Sequence, residues 1–160
     1  MNPGSLNIEG AERMREFGRA LGQSLLAAPS APLVVYLQGD LGAGKTTLVS
    51  GILNAAGVSG FARSPTYTLI EPYETASKRL YHLDLYRLVD ASEVEPLGLR
   101  ELLVDDAILL IEWPDRGEGA LPAADVTVDL AYSANGEARH VQLNARMAAG
   151  QAVLKGLPKS

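Results

Sequence analysis

The sequence predicts an α/β protein: one domain over residues 1–160 in which a mixed β-sheet lies between helices. Three observations carry this reading. Leu33-Val34-Val35-Tyr36-Leu37 and Ala107-Ile108-Leu109-Leu110-Ile111 are continuous apolar runs, the pattern of strands buried on both faces. Segments with three- and four-residue apolar spacing alternate with them, as helices covering such a sheet would. The chain has 160 residues, 47% hydrophobic and 21% charged, the size and balance of a single folded domain. Its core is expected over about residues 9–143, with a closing helix and a frayed tail over 145–160.

Taken in order, residues 9–28 predict an amphipathic helix. Ala11, Met14, Phe17, Leu21 and Leu25 form its apolar stripe, and Pro29 and Pro32 bracket its end. The strand at 33–37 leads into a glycine-rich turn from Gly39 to Gly44. A second helix follows over 45–56, with Leu48, Ile52 and Leu53 inward. Ser64-Pro65-Thr66 reads as a loop. Thr68–Glu71 and Arg79–Tyr86 read as strands of a hairpin joined by the polar link 74–78. A short helix is expected at 97–103 and the second buried strand at 107–111. A second hairpin, 125–130 with 138–143, turns around Asn135-Gly136. No internal repeat and no domain linker is visible.

Composition excludes several functions. Net charge is −5, so the chain is a poor autonomous nucleic-acid binder, which needs a basic face to displace counterions. It has no cysteine, which removes disulfides and thiolate metal sites. The N-terminal Met1–Asn7 has neither a cationic patch nor an apolar run, and no apolar stretch approaches the ~18 residues of a membrane span. A soluble, cytoplasmic protein without membrane contact is expected.

Gly39-Asp40-Leu41-Gly42-Ala43-Gly44-Lys45-Thr46 matches G-x-x-x-x-G-K-[ST] in full. At this composition the pattern arises by chance in about 0.4% of chains of this length. The context a phosphate loop needs, a buried strand before and a helix after, makes chance rarer still. Glycines let backbone N–H groups approach phosphates, and the helix N-terminus adds its positive dipole end. Asp40, Leu41, Gly42, Ala43, Gly44, Lys45, Thr46 and Thr47 are the expected nucleotide-binding segment. Lys45 would act at the β- and γ-phosphates, and the Thr46 hydroxyl would ligate Mg²⁺. The alternative is a glycine-rich turn with an ordinary surface lysine.

Phosphoryl transfer also needs an acidic residue near the metal. Glu112, directly after the second buried strand, is the expected second metal ligand; its alternative is an exposed strand-end carboxylate. Asp84, on one strand face with His82 and Leu80, could bind the metal through water, orient the attacking water, or be a hydrogen-bonded structural residue. Thr66 is either a γ-phosphate sensor or a turn hydroxyl, and Trp113 either a packing anchor or part of a nucleotide or partner surface. His82 reads as a structural histidine rather than a ligand. Tyr67, Tyr73, Tyr81 and Tyr86 read as core and hairpin packing.

The chain has no N-K-x-D and no D-x-x-G element, so adenine nucleotide is preferred over guanine. Arg63, Arg79, Arg87, Arg100 and Arg116 are scattered rather than gathered in a lid, which argues against a small-molecule kinase. Four motifs in order, the phosphate loop through Thr47, Ser64-Pro65-Thr66-Tyr67-Thr68-Leu69, His82-Leu83-Asp84-Leu85-Tyr86-Arg87-Leu88 and Glu112-Trp113-Pro114, resemble the bacterial TsaE (YjeE) family of small P-loop ATPases. The resemblance spans about residues 9–143. It implies a P-loop fold with a mixed sheet and ATP hydrolysis with Mg²⁺, leaving ADP. It also implies service in threonylcarbamoyladenosine modification of tRNA position 37 with the TsaD–TsaB pair, tRNA being met only through that complex. It places Thr46 and Glu112 at the metal and makes Asp84 and Lys45 catalytic. It puts Thr66 and Tyr67 in a switch-like loop, gives Trp113 a functional role, and draws an adenine pocket from residues near 6–12. A metabolite kinase and a nucleotide-dependent binding module without turnover are the competing readings.

Overall fold

The computed structural model describes residues 4–28, 32–60, 62, 63, 65, 69–76 and 78–158. Its centre is the strand made by the first apolar run. That strand, β2 (Leu33–Gln38), pairs in parallel with β5 (Ala107–Glu112) on one side and β6 (Val126–Tyr132) on the other. β4 (Arg79–Asp84) adds to β5 in parallel, and β3 (Ile70–Glu74) closes that edge as the antiparallel arm of the expected hairpin. On the far side β7 (Arg139–Ala145) pairs antiparallel with β6, completing the second hairpin. A strand that sequence reasoning did not foresee, β1 (Ser5–Ile8), pairs with β7 at the outer edge. The result is one mixed seven-stranded sheet in the order β1-β7-β6-β2-β5-β4-β3.

Alternation distributes the apolar side chains to two faces. Leu33, Val35 and Leu37 of β2, with Leu80, Ile108 and Leu110, face α1 (Gly10–Ala27) and α2 (Lys45–Ala55). Val34, Leu83, Leu109 and Ile111 face the opposite layer. That layer holds a 3₁₀ helix at Ala91–Leu97 and α3 (Leu99–Leu102), a single turn. All six residues of β5 are buried, as a strand covered on both faces requires. α1 lies so close on α2 that a Cβ at Gly51 would sit 2.2 Å from the Arg15 carbonyl oxygen, so glycine is required there. α4 (Ala148–Lys155) packs on β7 and α1.

Several expected boundaries move. Ala11 is exposed, because the buried stripe of α1 begins at Met14. The helix expected at 97–103 is a 3₁₀ segment containing Pro96 followed by the short α3, and its true start is the capping box of Asp90 and Glu93. The strand at 79–86 ends at Asp84, which frees Tyr86 for another contact. The closing helix starts at Ala148 because β7 runs on to Ala145. Pro29, Ser64, Thr66, Tyr67 and Thr68 lie outside the described residues. Among the described residues no helix is long and apolar enough to cross a membrane.

Candidate functional site

Register assembles the site. Leu37 is level with Glu112, and Glu112 with Asp84, so β2, β5 and β4 end together at one margin of the sheet. Ligands of parallel sheets bind beyond such carboxyl ends. The glycine-rich turn leaves β2 at this margin, and α2 begins there at Lys45. His82 and Asp84 follow Leu80 on the face turned to α2, and Glu112 follows Ile108 and Leu110 on that same face. The strand ends therefore bring two carboxylates to the first turn of α2.

Lys45 is only 5% exposed. Its Nζ donates to the carbonyl oxygens of Gly39 and of Asp40, the latter at 3.1 Å, and lies 4.0 Å from the centre of the Trp113 ring. Burial pulls its pKa below the ordinary lysine value, against the opposing fields of Glu112, Asp84, Asp40 and Asp115. The Thr46 hydroxyl donates to Glu112, 3.0 Å from Oε2 and 3.3 Å from Oε1. Glu112 is 2% exposed, not the exposed strand-end carboxylate that the sequence also allowed. Its Oε2 accepts a second bond from His82 Nε2 at 2.6 Å. Asp84 is half-buried, and its Oδ1 accepts from the backbone N–H of Tyr86 at 3.0 Å.

A cleft of about 380 Å³ runs along the turn. Residues Leu41 through Thr47, Asp84, Glu112 and Trp113 form its walls, with Pro65, Leu69, Tyr86 and Arg87. Of the predicted set only Asp40 is off these walls; its contribution is the backbone carbonyl held by Lys45. Residues 6–12 run through β1 into α1 and do not line this cleft. Thr66 and Tyr67 lie outside the described residues.

Trp113 adopts a left-handed backbone (φ 58°) at the head of a 3₁₀ turn, Pro114–Gly117. Its ring meets Tyr86 at 4.9 Å, and the Arg116 guanidinium lies 5.0 Å from Tyr86 and 5.5 Å from Trp113. Tyr73 and Tyr81 pack on opposite faces of the sheet, as expected of packing residues, whereas Tyr86 joins the site. Sequence reasoning missed Arg116, counted there among scattered arginines, and Tyr132 with Arg139. These two are register partners across the β6–β7 hairpin and reach the far side of the turn. Tyr132 Oη donates to the Leu41 carbonyl at 3.2 Å and Arg139 to that of Gly42 at 3.3 Å. Gly42 has φ +80°, and a Cβ there would come within 2.8 Å of Tyr132 Oη, so this turn residue needs to be glycine.

Among the described residues no group of three or more His, Asp or Glu is placed to hold a metal by itself. Mg²⁺ on a nucleotide needs less, one or two protein oxygens with phosphates and water supplying the rest. A hydroxyl and a buried carboxylate converging at 3.0 Å fit that donor set.

Comparison with known proteins follows the same motifs. Residues 8–153 match the family model described as threonylcarbamoyl adenosine biosynthesis protein TsaE. The chain is 44% identical over 142 residues to a Haemophilus influenzae protein named tRNA threonylcarbamoyladenosine biosynthesis protein TsaE, covering 88% of this chain and 89% of that one. It is 39% identical over 129 residues to the Nostoc protein of the same name, covering 78% and 76%. Its fold is similar to a crystal structure of YdiB from Bacillus subtilis, with a TM-score of 0.73, 24% identity and coverage of 97% and 95%.

Proposed function

Because the chain belongs to the TsaE family of threonylcarbamoyl adenosine biosynthesis proteins, we propose that it is a Mg²⁺-dependent ATPase that serves tRNA modification through TsaD and TsaB. The observation that carries the reading is the Thr46–Glu112 pair beside a complete phosphate loop, at the level ends of β2 and β5. Lys45 would exchange the carbonyls of Gly39 and Asp40 for the β- and γ-phosphates, while the N-terminus of α2, which begins at Lys45, would add its positive dipole end toward the same anion. Thr46 and Glu112 would hold Mg²⁺, which when bound offsets the charge developing on the phosphate oxygens. Asp84, on the cleft wall one strand beyond Glu112, would accept a hydrogen bond from the attacking water. Trp113 keeps water off the Lys45 ammonium and gives it a soft aromatic counterpart that phosphate can replace.

The test is reconstitution: purified chain, ATP, Mg²⁺ and TsaD–TsaB, with phosphate release and modified tRNA both measured. Phosphate released without an acceptor, and more of it when the partners are added, is the expected outcome. A phosphorylated metabolite in place of free phosphate would replace this reading with a kinase. Nucleotide binding without turnover in the complex would replace it with a binding module.

A further inference from the structure

We propose that His82 is a positioning residue that orients Glu112 for a divalent cation; the proposal rests on the nucleotide-binding reading above. His82 is fully buried and off the cleft wall, so it acts only through what it touches. Its Nε2–H donates to Glu112 Oε2 at 2.6 Å, the same oxygen that Thr46 approaches at 3.0 Å. The other oxygen, Oε1, has the longer 3.3 Å approach of the Thr46 hydroxyl. Two donors thus fix Oε2, the torsions of the glutamate side chain are locked, and Oε1 is the oxygen turned to a cation or its water. The geometry is a diagonal across two parallel strands: His82 is level with Leu110, and Asp84 with Glu112, so the imidazole reaches one step forward along β5.

Packing does not account for the histidine. Apart from Asp84 and Glu112, its neighbours on that face, Leu80, Ile108 and Leu110, are aliphatic, and among the described residues its Nδ1 has no hydrogen-bond partner. A buried ring nitrogen without a partner is a cost that leucine would not carry. The position is explained by the single bond that the histidine makes to Glu112. Metal-ligating carboxylates are commonly oriented by such hydrogen-bonded neighbours.

Calorimetry on the full chain tests this, with ADP in EDTA, ADP with Mg²⁺, and Mn²⁺ with ADP followed by electron paramagnetic resonance. In His82→Leu the affinity of the ADP complex for Mg²⁺ and Mn²⁺ falls about tenfold, while ADP in EDTA binds within about twofold of wild type. His82→Gln, whose amide N–H₂ lies near the place of Nε2, restores most of the loss. Should His82→Leu fail to fold by circular dichroism, His82→Asn, whose amide cannot reach Glu112, replaces it with the same expectation. Unchanged metal affinity in a folded His82→Leu or His82→Asn overturns the proposal, as does a His82→Gln protein no better than His82→Leu. A wild-type chain that binds ADP with a metal effect equal to that of the variants removes the positioning role alone. A wild-type chain that binds no ADP removes the nucleotide reading and this proposal with it.

Discussion

The phosphate loop stands between two unlike walls. On one side parallel strands β4 and β5 deliver His82, Asp84 and Glu112, and their level ends fix where these groups lie. Glu112 and His82 are buried, so their bond acts in a medium of low dielectric. On the other side the β6–β7 hairpin offers Tyr132, 46% exposed, and the Arg139 guanidinium stacked 4.1 Å from its ring. Both of these donate to backbone carbonyls of the loop, Leu41 and Gly42, rather than to a reacting group. The buried wall can hold charge in place; the exposed wall can only brace the loop's shape, in contacts that water readily replaces.

That contrast can be broken experimentally, starting with the residue between the walls. Lys45→Ala should lower single-turnover ATP hydrolysis about a thousandfold with circular dichroism unchanged. Near-normal hydrolysis by the folded variant would end the ATPase proposal. On the buried wall, Asp84→Asn should cut turnover about a hundredfold while ATP affinity measured by calorimetry stays near wild type, because a group acting in the transition state changes kcat alone. Glu112→Gln should instead weaken Mg²⁺ dependence about tenfold or more and take Mg–ATP affinity with it. If Asp84→Asn abolishes Mg–ATP binding and Glu112→Gln only slows turnover, the two carboxylates have exchanged roles. The exposed wall should matter least. Tyr132→Phe removes one exposed neutral hydrogen bond, about 1 kcal/mol at most, so ATP affinity should change less than about fivefold. A loss as large as that of Glu112→Gln would show that the hairpin does more than brace.

The buried wall was the legible one. A continuous apolar run ending in Glu112, and a strand with Asp84 two residues after His82, can be read directly because burial on both faces and period-two alternation are sequence patterns. What the sequence could not show was register. Only the pairing of His82 with Leu110 brings the imidazole to Glu112, and His82 alone reads as an ordinary core histidine. The exposed wall was legible as a hairpin, and Arg139 falls inside one of its expected strands, but Tyr132 lies beyond the other, which was expected to end at Leu130. The pairing of Tyr132 with Arg139 depends on β6 running two residues further, and boundaries are where local pattern is weakest. β1 escaped notice because four residues of mixed polarity carry too little alternation to stand out, and the partner that makes them a strand is remote.

That remoteness has a consequence for how the molecule is made. Ser5 Oγ and His140 Nε2 meet at 3.1 Å across 135 residues of chain, so a strand made well before its partner is among the last to find its place. The strands that carry the site, β2, β4 and β5, have all been synthesised by Glu112. β6 follows, and its outer edge is paired only once β7 has emerged as far as Ala145. During translation, then, the working end of the sheet is supplied before its margin is closed, and β6 spends that interval as an unprotected edge open to pairing with another chain.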